Sequence, residues 1–210
     1  MSAGSLLVPL TCPTCGNVLA GGDAARIFLC RACRSAIFME ARDRVYPAGW
    51  LSPRIGLGGE PVGAPFWMVT GSLRVTCPDA RKEAAFSRIR RLGPLLFPAF
   101  WTLRLSYYDD LTQRFALADP ALLSFGEPFG GALLDGVRDP ALVPEMARLA
   151  WLAHMDRAAD VTGVEASFEV ERITYAVMPF FEEGGQLKDG ILGISVPRVL
   201  MARLSRDQGA

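Results

Sequence analysis

The clearest rhythm of apolar and polar positions runs from Val164 to Val170, where Val164, Ala166, Phe168 and Val170 alternate with Glu165, Ser167 and Glu169. A period of two marks a strand with one face on a core and the other in water. From Ile173 to Phe181 nearly every position is apolar, as in a strand covered on both faces. Three more segments read as strands. "PFWMVTGSLRVTC" (65–77) is rich in β-branched and aromatic residues, and "LLFPAFW" (95–101) is a short unbroken apolar run whose Pro98 suits an edge. "ILGISVP", from Ile191, folds back on the long strand through the "EEGGQLKDG" connection.

Elsewhere the period changes. Leu103, Tyr107, Leu111 and Phe115 recur every fourth residue among polar neighbours and predict an amphipathic helix. A second helix is expected from Pro144 to about Ala159, with Met146, Leu149, Trp151, Leu152 and Met155 on its apolar face. Pro144 fits its first turn, and Glu145 lies at the positive end of its dipole. Shorter helices are expected over 78–92 and in the closing "PRVLMARLSR". The expected fold is α+β: a mixed or antiparallel sheet of four or more strands with two to four helices.

Residues 46–64 are dense in proline and glycine and read as a linker that cannot hold regular structure for long. The expected organisation is a small module over 1–45, this linker, and an α+β domain over 65–210.

The small module holds four of the five cysteines, in "CPTCGNVLAGGDAARIFLCRACR", residues 12–34. Cys12 and Cys15 form one Cys-x-x-Cys pair, Cys30 and Cys33 another. Each such turn offers two thiolates from one tight loop, and a tetrahedral zinc takes four at about 2.3 Å. Gly16 can adopt the positive φ that turns backbone amides toward sulfur. Val18-Leu19-Ala20 and Ile27-Phe28-Leu29 flank a Gly-Gly-Asp turn and predict a hairpin leading into the second pair. Cys12, Cys15, Cys30 and Cys33 are therefore the expected ligands of one Zn2+ ion, with rubredoxin-type iron or a thiol redox pair as alternatives.

The spacing and the "CPxCG" form resemble a zinc ribbon, the rubredoxin-like module of many nucleic-acid and assembly proteins, over about residues 10–45. The resemblance implies a structural ion. A site closed by four thiolates leaves no position for water or substrate, so the metal serves as a staple supplying folding energy. Ribbons of this kind usually carry Gly after the last cysteine as well. Arg34 stands there, so the second turn is expected to be built differently or to lack a positive-φ residue.

Composition narrows the classes. Half the residues are apolar and 21% are charged, which excludes a disordered chain. No window approaches the roughly 18 apolar residues of a spanning helix, and the best candidate, 92–103, is short and carries two prolines. The opening "MSAGSLLVPLTC" lacks a basic n-region, so the expected location is cytoplasmic, where reduced thiols favour metal over disulfides. A mean hydropathy of +0.24 points to apolar surface covered by a partner.

No catalytic motif accompanies the single histidine, His154, which reads as a boundary residue. "GLGGEPVG" (56–63) lacks the Lys-Ser/Thr of a phosphate loop. Glu169, Glu171, Glu182, Glu183 and Asp189 read as a wet face, and Cys77 as a small buried residue. The chain is thus expected to be a non-catalytic accessory or assembly subunit that binds another protein, with Trp50, Trp67, Phe97, Phe100 and Trp101 as candidate anchors. The alternative is a nucleic-acid-binding or transcription-related protein. It would use Arg26, Arg31, Arg34, Arg42 and Arg44 with Arg81, Lys82, Arg88, Arg90 and Arg91, and stack bases on Phe28, Phe38 and Tyr46. Against it, 22 cations balance 22 carboxylates, leaving no basic excess. A third reading is an enzyme built from the carboxylates and His154, and peripheral membrane contact through 95–101 is a fourth.

Overall fold

The computed structural model describes residues 10–19, 21, 24–40, 44–77, 79, 86, 91–100, 111–112, 114–115, 118–157 and 160–198. Its nine strands are β1 (Ile27–Cys30), β2 (Ser35–Phe38), β3 (Val45–Leu51), β4 (Val62–Thr76), β5 (Arg91–Pro98), β6 (Phe125–Gly126), β7 (Glu165–Glu183), β8 (Gln186–Asp189) and β9 (Ser195–Pro197). They form one sheet in the order β1-β2-β3-β7-β4-β5, with β6 on β3 and the β8–β9 pair on β7. Only β3 and β7 pair in parallel; the other pairs are antiparallel.

β7 is the spine. One of its edges is filled by β4 from Glu165 to Phe180, and β3 and β8 share the other. Its register slips once: Thr70 faces Arg172 and Gly71 faces Val170, leaving Glu171 as an extra residue. Such a bulge reverses the alternation beyond it. Ala166, Phe168 and Val170 before the bulge therefore face the same side as Ile173, Tyr175 and Val177 after it. The apolar rhythm of the sequence changes at this point for that reason.

That side meets α1 (Val143–Asp156). Val143, Ala147, Trp151 and Met155 of the helix pack in one cluster with Trp67, Val69, Leu95, Phe97, Tyr175 and Val177 of the sheet. The opposite side gathers Phe66, Leu96, Ala176, Met178 and Phe180 with Leu111, Phe115 and Leu134. Residues 63–69 of β4, 95–97 of β5 and 174–181 of β7 are thus covered on both faces, and each large side chain removed from water contributes about 1.5–3 kcal/mol.

Two expectations change. In place of two to four helices, the described residues carry a large mixed sheet and one complete α-helix, preceded by a short 3-10 turn at Pro140–Leu142, although Phe86 in the 78–92 segment and Leu111, Thr112, Arg114 and Phe115 at the end of the 103–115 segment are helical as expected. Arg91 and Leu92, expected at the end of a helix, open β5. The helical readings at 101–110 and 199–206 lie outside the described residues, as does most of 78–90. The proline- and glycine-rich stretch 46–64 also holds more structure than expected: β3 runs through Leu51 and β4 begins at Val62. Ile27, Leu29, Ala36 and Phe38 of the first two strands lie in the same cluster as Trp50 and Trp67.

Candidate metal centre

The two Cys-x-x-Cys segments occupy hairpin turns. In the second, the last strand pair is Cys30 with Ser35, so Arg31 to Arg34 is the turn between β1 and β2. In the first, an antiparallel bridge joins Thr11 to Val18, the Cys12 N–H donates to the Asn17 carbonyl at 2.8 Å, and the Gly16 N–H donates to the Cys12 carbonyl at 2.9 Å. Among the described residues, the hairpin expected from 18–20 and 27–29 is therefore not formed. Each segment instead pairs locally around its own cysteines.

Gly16 and Arg34 follow the last cysteine of the two turns and have φ of 75° and 53°. Arg34 is the one positive-φ residue other than glycine among the described residues. The second turn is therefore built like the first, against the expectation raised by its missing glycine. Left-handed backbone costs an ordinary side chain about 1–2 kcal/mol. Arg34 is held there by the Ala48 N–H, which donates to its carbonyl at 2.8 Å, and its guanidinium meets Glu127 at 2.8 Å.

The turns bring four sulfurs together. Cys12 and Cys33 Sγ lie 3.5 Å apart, Cys15 and Cys30 Sγ 3.4 Å, and all four lie within 4.8 Å of one another. A tetrahedron with metal–sulfur bonds of about 2.3 Å has edges of about 3.8 Å. The sulfur separations, from 3.4 Å up to 4.8 Å, bracket this spacing, none is in a disulfide, and the group could hold a metal ion. Cys12 and Cys30 are buried over Ile37, Cys33 is half-buried, and Cys15 is exposed.

The surroundings suit thiolates. The Thr14 N–H points at Cys12 Sγ from 3.4 Å, and the Asn17 amide donates to Cys15 Sγ at 3.3 Å. Ser35 Oγ lies 3.3 Å from Cys33 Sγ, where its hydroxyl can donate to a thiolate. Without a cation the four groups hold protons unequally. Donation from the Asn17 side chain and backbone draws the Cys15 thiol down to about 6. Burial raises Cys12, but the backbone N–H groups of Thr14 and Cys15 outweigh it and the net shift is downward. At Cys33 the Ser35 contact pulls downward, while burial and the sulfurs of Cys30, Cys12 and Cys15 push the thiol up to about 12. Four thiolates this close repel, and a divalent cation relieves that repulsion.

The other candidate residues stay apart. Trp50, Trp67, Phe97 and Phe100 are all core residues, at most 2% exposed, so none can anchor a partner; Trp101 lies outside the described residues. Among the ribbon arginines, Arg26 pairs with Glu40 and Arg34 with Glu127, whereas Arg31 and Arg44 are exposed; Arg42 lies outside the described residues. Phe38 is buried, and Tyr46 packs edge-on against Trp67 with ring centroids 5.2 Å apart. The basic set Arg81, Lys82, Arg88 and Arg90 lies outside the described residues, and Arg91 opens β5.

The carboxylates do not converge. Glu169 pairs with Arg74, while Glu182 and Glu183, at the far end of β7, pair with Arg198 and Lys188. Thirteen residues of strand separate the two groups by about 40 Å. Asp189 is buried at the end of β8, where its carboxylate accepts backbone N–H groups of the β8–β9 connection. His154 is exposed in the last turn of α1, and Cys77 is buried at the end of β4.

One surface feature was not read from the sequence. Val45, Pro47, Gly49 and Leu51 alternate onto one face of β3, and Phe125, opposite Leu51 on β6, lays its ring over Gly49. Val45 is 39% exposed and Phe125 47%, with Pro47 exposed between them. Phe125 lies in the Gly- and Pro-rich stretch, where no periodicity marks it.

No protein family, curated protein or solved structure compared with the chain matches it. No described helix is long and apolar enough to cross a membrane.

Proposed function

We propose that Cys12, Cys15, Cys30 and Cys33 hold one structural Zn2+ ion in a ribbon-like module, and that the protein works without catalysis, as an accessory or assembly subunit in contact with another protein. The observation that supports the metal most directly is the meeting of four sulfurs, two from each of two similar hairpin turns, at separations that bracket the spacing of a tetrahedral site. Softness and geometry favour zinc: four thiolates from two hairpin turns suit Zn2+ better than hard cations. Four protein ligands complete its coordination and leave no position for substrate, which gives the ion a structural part.

The protein contact is supported by the strip of Val45, Pro47 and Phe125, apolar groups held in water on the outer face of β3 and β6 beside the module. Apolar side chains grouped on rigid strands mark interaction surfaces more often than scattered ones do. They replace the buried aromatic residues as the anchors of this reading.

Native mass spectrometry of protein purified from its own host, without chelators, tests both halves. One zinc together with a stoichiometric protein partner, and a V45D/F125D variant that keeps the zinc and loses the partner, is the expected result. Absence of metal overturns the first half, and nucleic acid in place of protein overturns the second.

A further inference from the structure

We infer that the metal is a clasp on residues 10–19 alone, so that its removal frees the first Cys-x-x-Cys turn and leaves the sheet standing. The inference rests on the metal site proposed above and concerns what that site holds in place. The two turns are attached to the molecule in very different ways.

The second turn is continuous with the sheet. β1 and β2 pair over four residues each, and β2 continues onto β3. The Arg26 and Ile27 N–H groups both donate to the Gly136 carbonyl, at 2.8 and 2.9 Å, and the Ala48 N–H donates to Arg34. Ile27, Leu29, Ala36 and Phe38 are buried in the cluster that contains Trp67 and Trp151. None of these contacts involves a cysteine sulfur.

The first turn is closed on itself. Its backbone hydrogen bonds among the described residues run from Cys12 to Asn17, Gly16 to Cys12 and Leu19 to Leu10, all within 10–19. Its hydrogen bonds to sulfur, from Thr14 and Asn17, also stay inside the segment. Among the described residues, what joins it to the sheet is a small apolar contact of Cys12 and Leu19 with Ile37, Cys30 and Cys33, together with the two cross-turn sulfur pairs. A ten-residue hairpin held by so little apolar surface cannot offset the entropy of its ordering. The metal–thiolate bonds supply the difference. When they are lost, the segment leaves Ile37, which is 1% exposed beneath it, and the outer face of β1 and β2 becomes open to water. Metal occupancy thereby decides whether that apolar face is covered.

The test uses the full chain loaded with Zn2+, then stripped with a chelator, with bound metal counted by native mass spectrometry and amide exchange mapped by mass spectrometry. The expected result is loss of one ion, exchange at least about 100-fold faster across 10–19, and change within about 3-fold across β1, β2, β4 and β7. A C12S/C15S variant should give the exchange map of the stripped protein. Loss of protection across β1 and β2 together with 10–19, or unchanged exchange at 10–19, overturns the clasp while leaving the metal site intact. Failure of the loaded protein to hold any metal overturns both.

Discussion

Gly16 and Arg34 occupy the same place in two separate hairpin turns, each just after the second cysteine and each with positive φ, although only one of them is a glycine. Replacing Arg34 by Gly removes the left-handed cost of about 1–2 kcal/mol. It also removes a half-exposed ion pair with Glu127, a contribution of about 0–1 kcal/mol, and adds flexibility to the unfolded chain. R34G is therefore expected to hold or raise stability by up to about 1 kcal/mol. R34V, β-branched at the same φ, should lose about 2 kcal/mol and bind metal more weakly. Urea melts and competition with a chromogenic chelator check both. An R34V protein as stable as the parent would show that the backbone there does not need the left-handed conformation.

The same turns show why parts of the molecule were legible in the sequence and parts were not. Four cysteines at this spacing met as expected, because a Cys-x-x-Cys turn is set by local geometry. The apolar runs at 95–97 and 174–180 are buried on both faces, as their patterns implied. The partner of Ile27–Leu29 differs from the expected 18–20 because Ala36–Phe38, across the Cys30–Cys33 turn, takes that edge, while Val18 bridges to Thr11. β3 was hidden because Pro47 and Gly49 belong to it for tertiary reasons, Gly49 because the Phe125 ring stands 2.5 Å from where a Cβ would be. Its parallel pairing with β7 joins residues more than a hundred positions apart, and no local pattern carries that information.

Gly136 lies against Tyr175 in the same way, with more severe consequences. A Cβ added at Gly136 would stand 2.1 Å from Tyr175 Oη and 3.1 Å from Ile27 Cβ. Tyr175 is buried in the core on β7, so its ring cannot swing aside. The Gly136 carbonyl also receives the two N–H groups that fasten the start of β1. G136A should therefore destabilise by about 1–3 kcal/mol through overpacking. Adding Y175F, which deletes the clashing oxygen, should recover part of that loss. A double-mutant cycle measures the coupling, and strict additivity would place the strain elsewhere.

Asp189 ties the β8–β9 connection together from inside. Its Oδ1 accepts from the Ile191 and Leu192 N–H groups at 2.9 and 2.6 Å, and its Oδ2 from Ile194 at 2.6 Å. Asparagine must direct an NH2 group at one of these donors, so D189N should cost about 2–3 kcal/mol. Burial pushes the Asp189 carboxyl above its ordinary value, against the pull of the Leu192, Ile191 and Ile194 N–H groups. A raised value means that the folded protein binds this proton more tightly than the unfolded chain does. The resulting stability is complete below the unfolded value and is lost as pH rises through the folded one. Since asparagine does not titrate, the gap between parent and D189N should widen from pH 7 toward pH 4. Denaturant melts across that range give the gap directly, and a gap that narrows in acid would reverse the assignment.

Metal binding itself should release protons. While the four sulfurs stand together without metal, Cys15 is drawn down to about 6 and Cys33 pushed up to about 12, so zinc entering the assembled site meets a thiolate at one corner and a thiol at another. A thiol becomes a ligand only by losing its proton. Zinc must therefore expel at least the proton of Cys33, and affinity should rise at least about tenfold for each unit of pH between 7 and 9. Isothermal titration in two buffers of different ionisation enthalpy counts the protons released. A count near zero would mean that all four sulfurs are already thiolates before metal arrives, and that the repulsion among them is held by the surrounding N–H and hydroxyl groups alone.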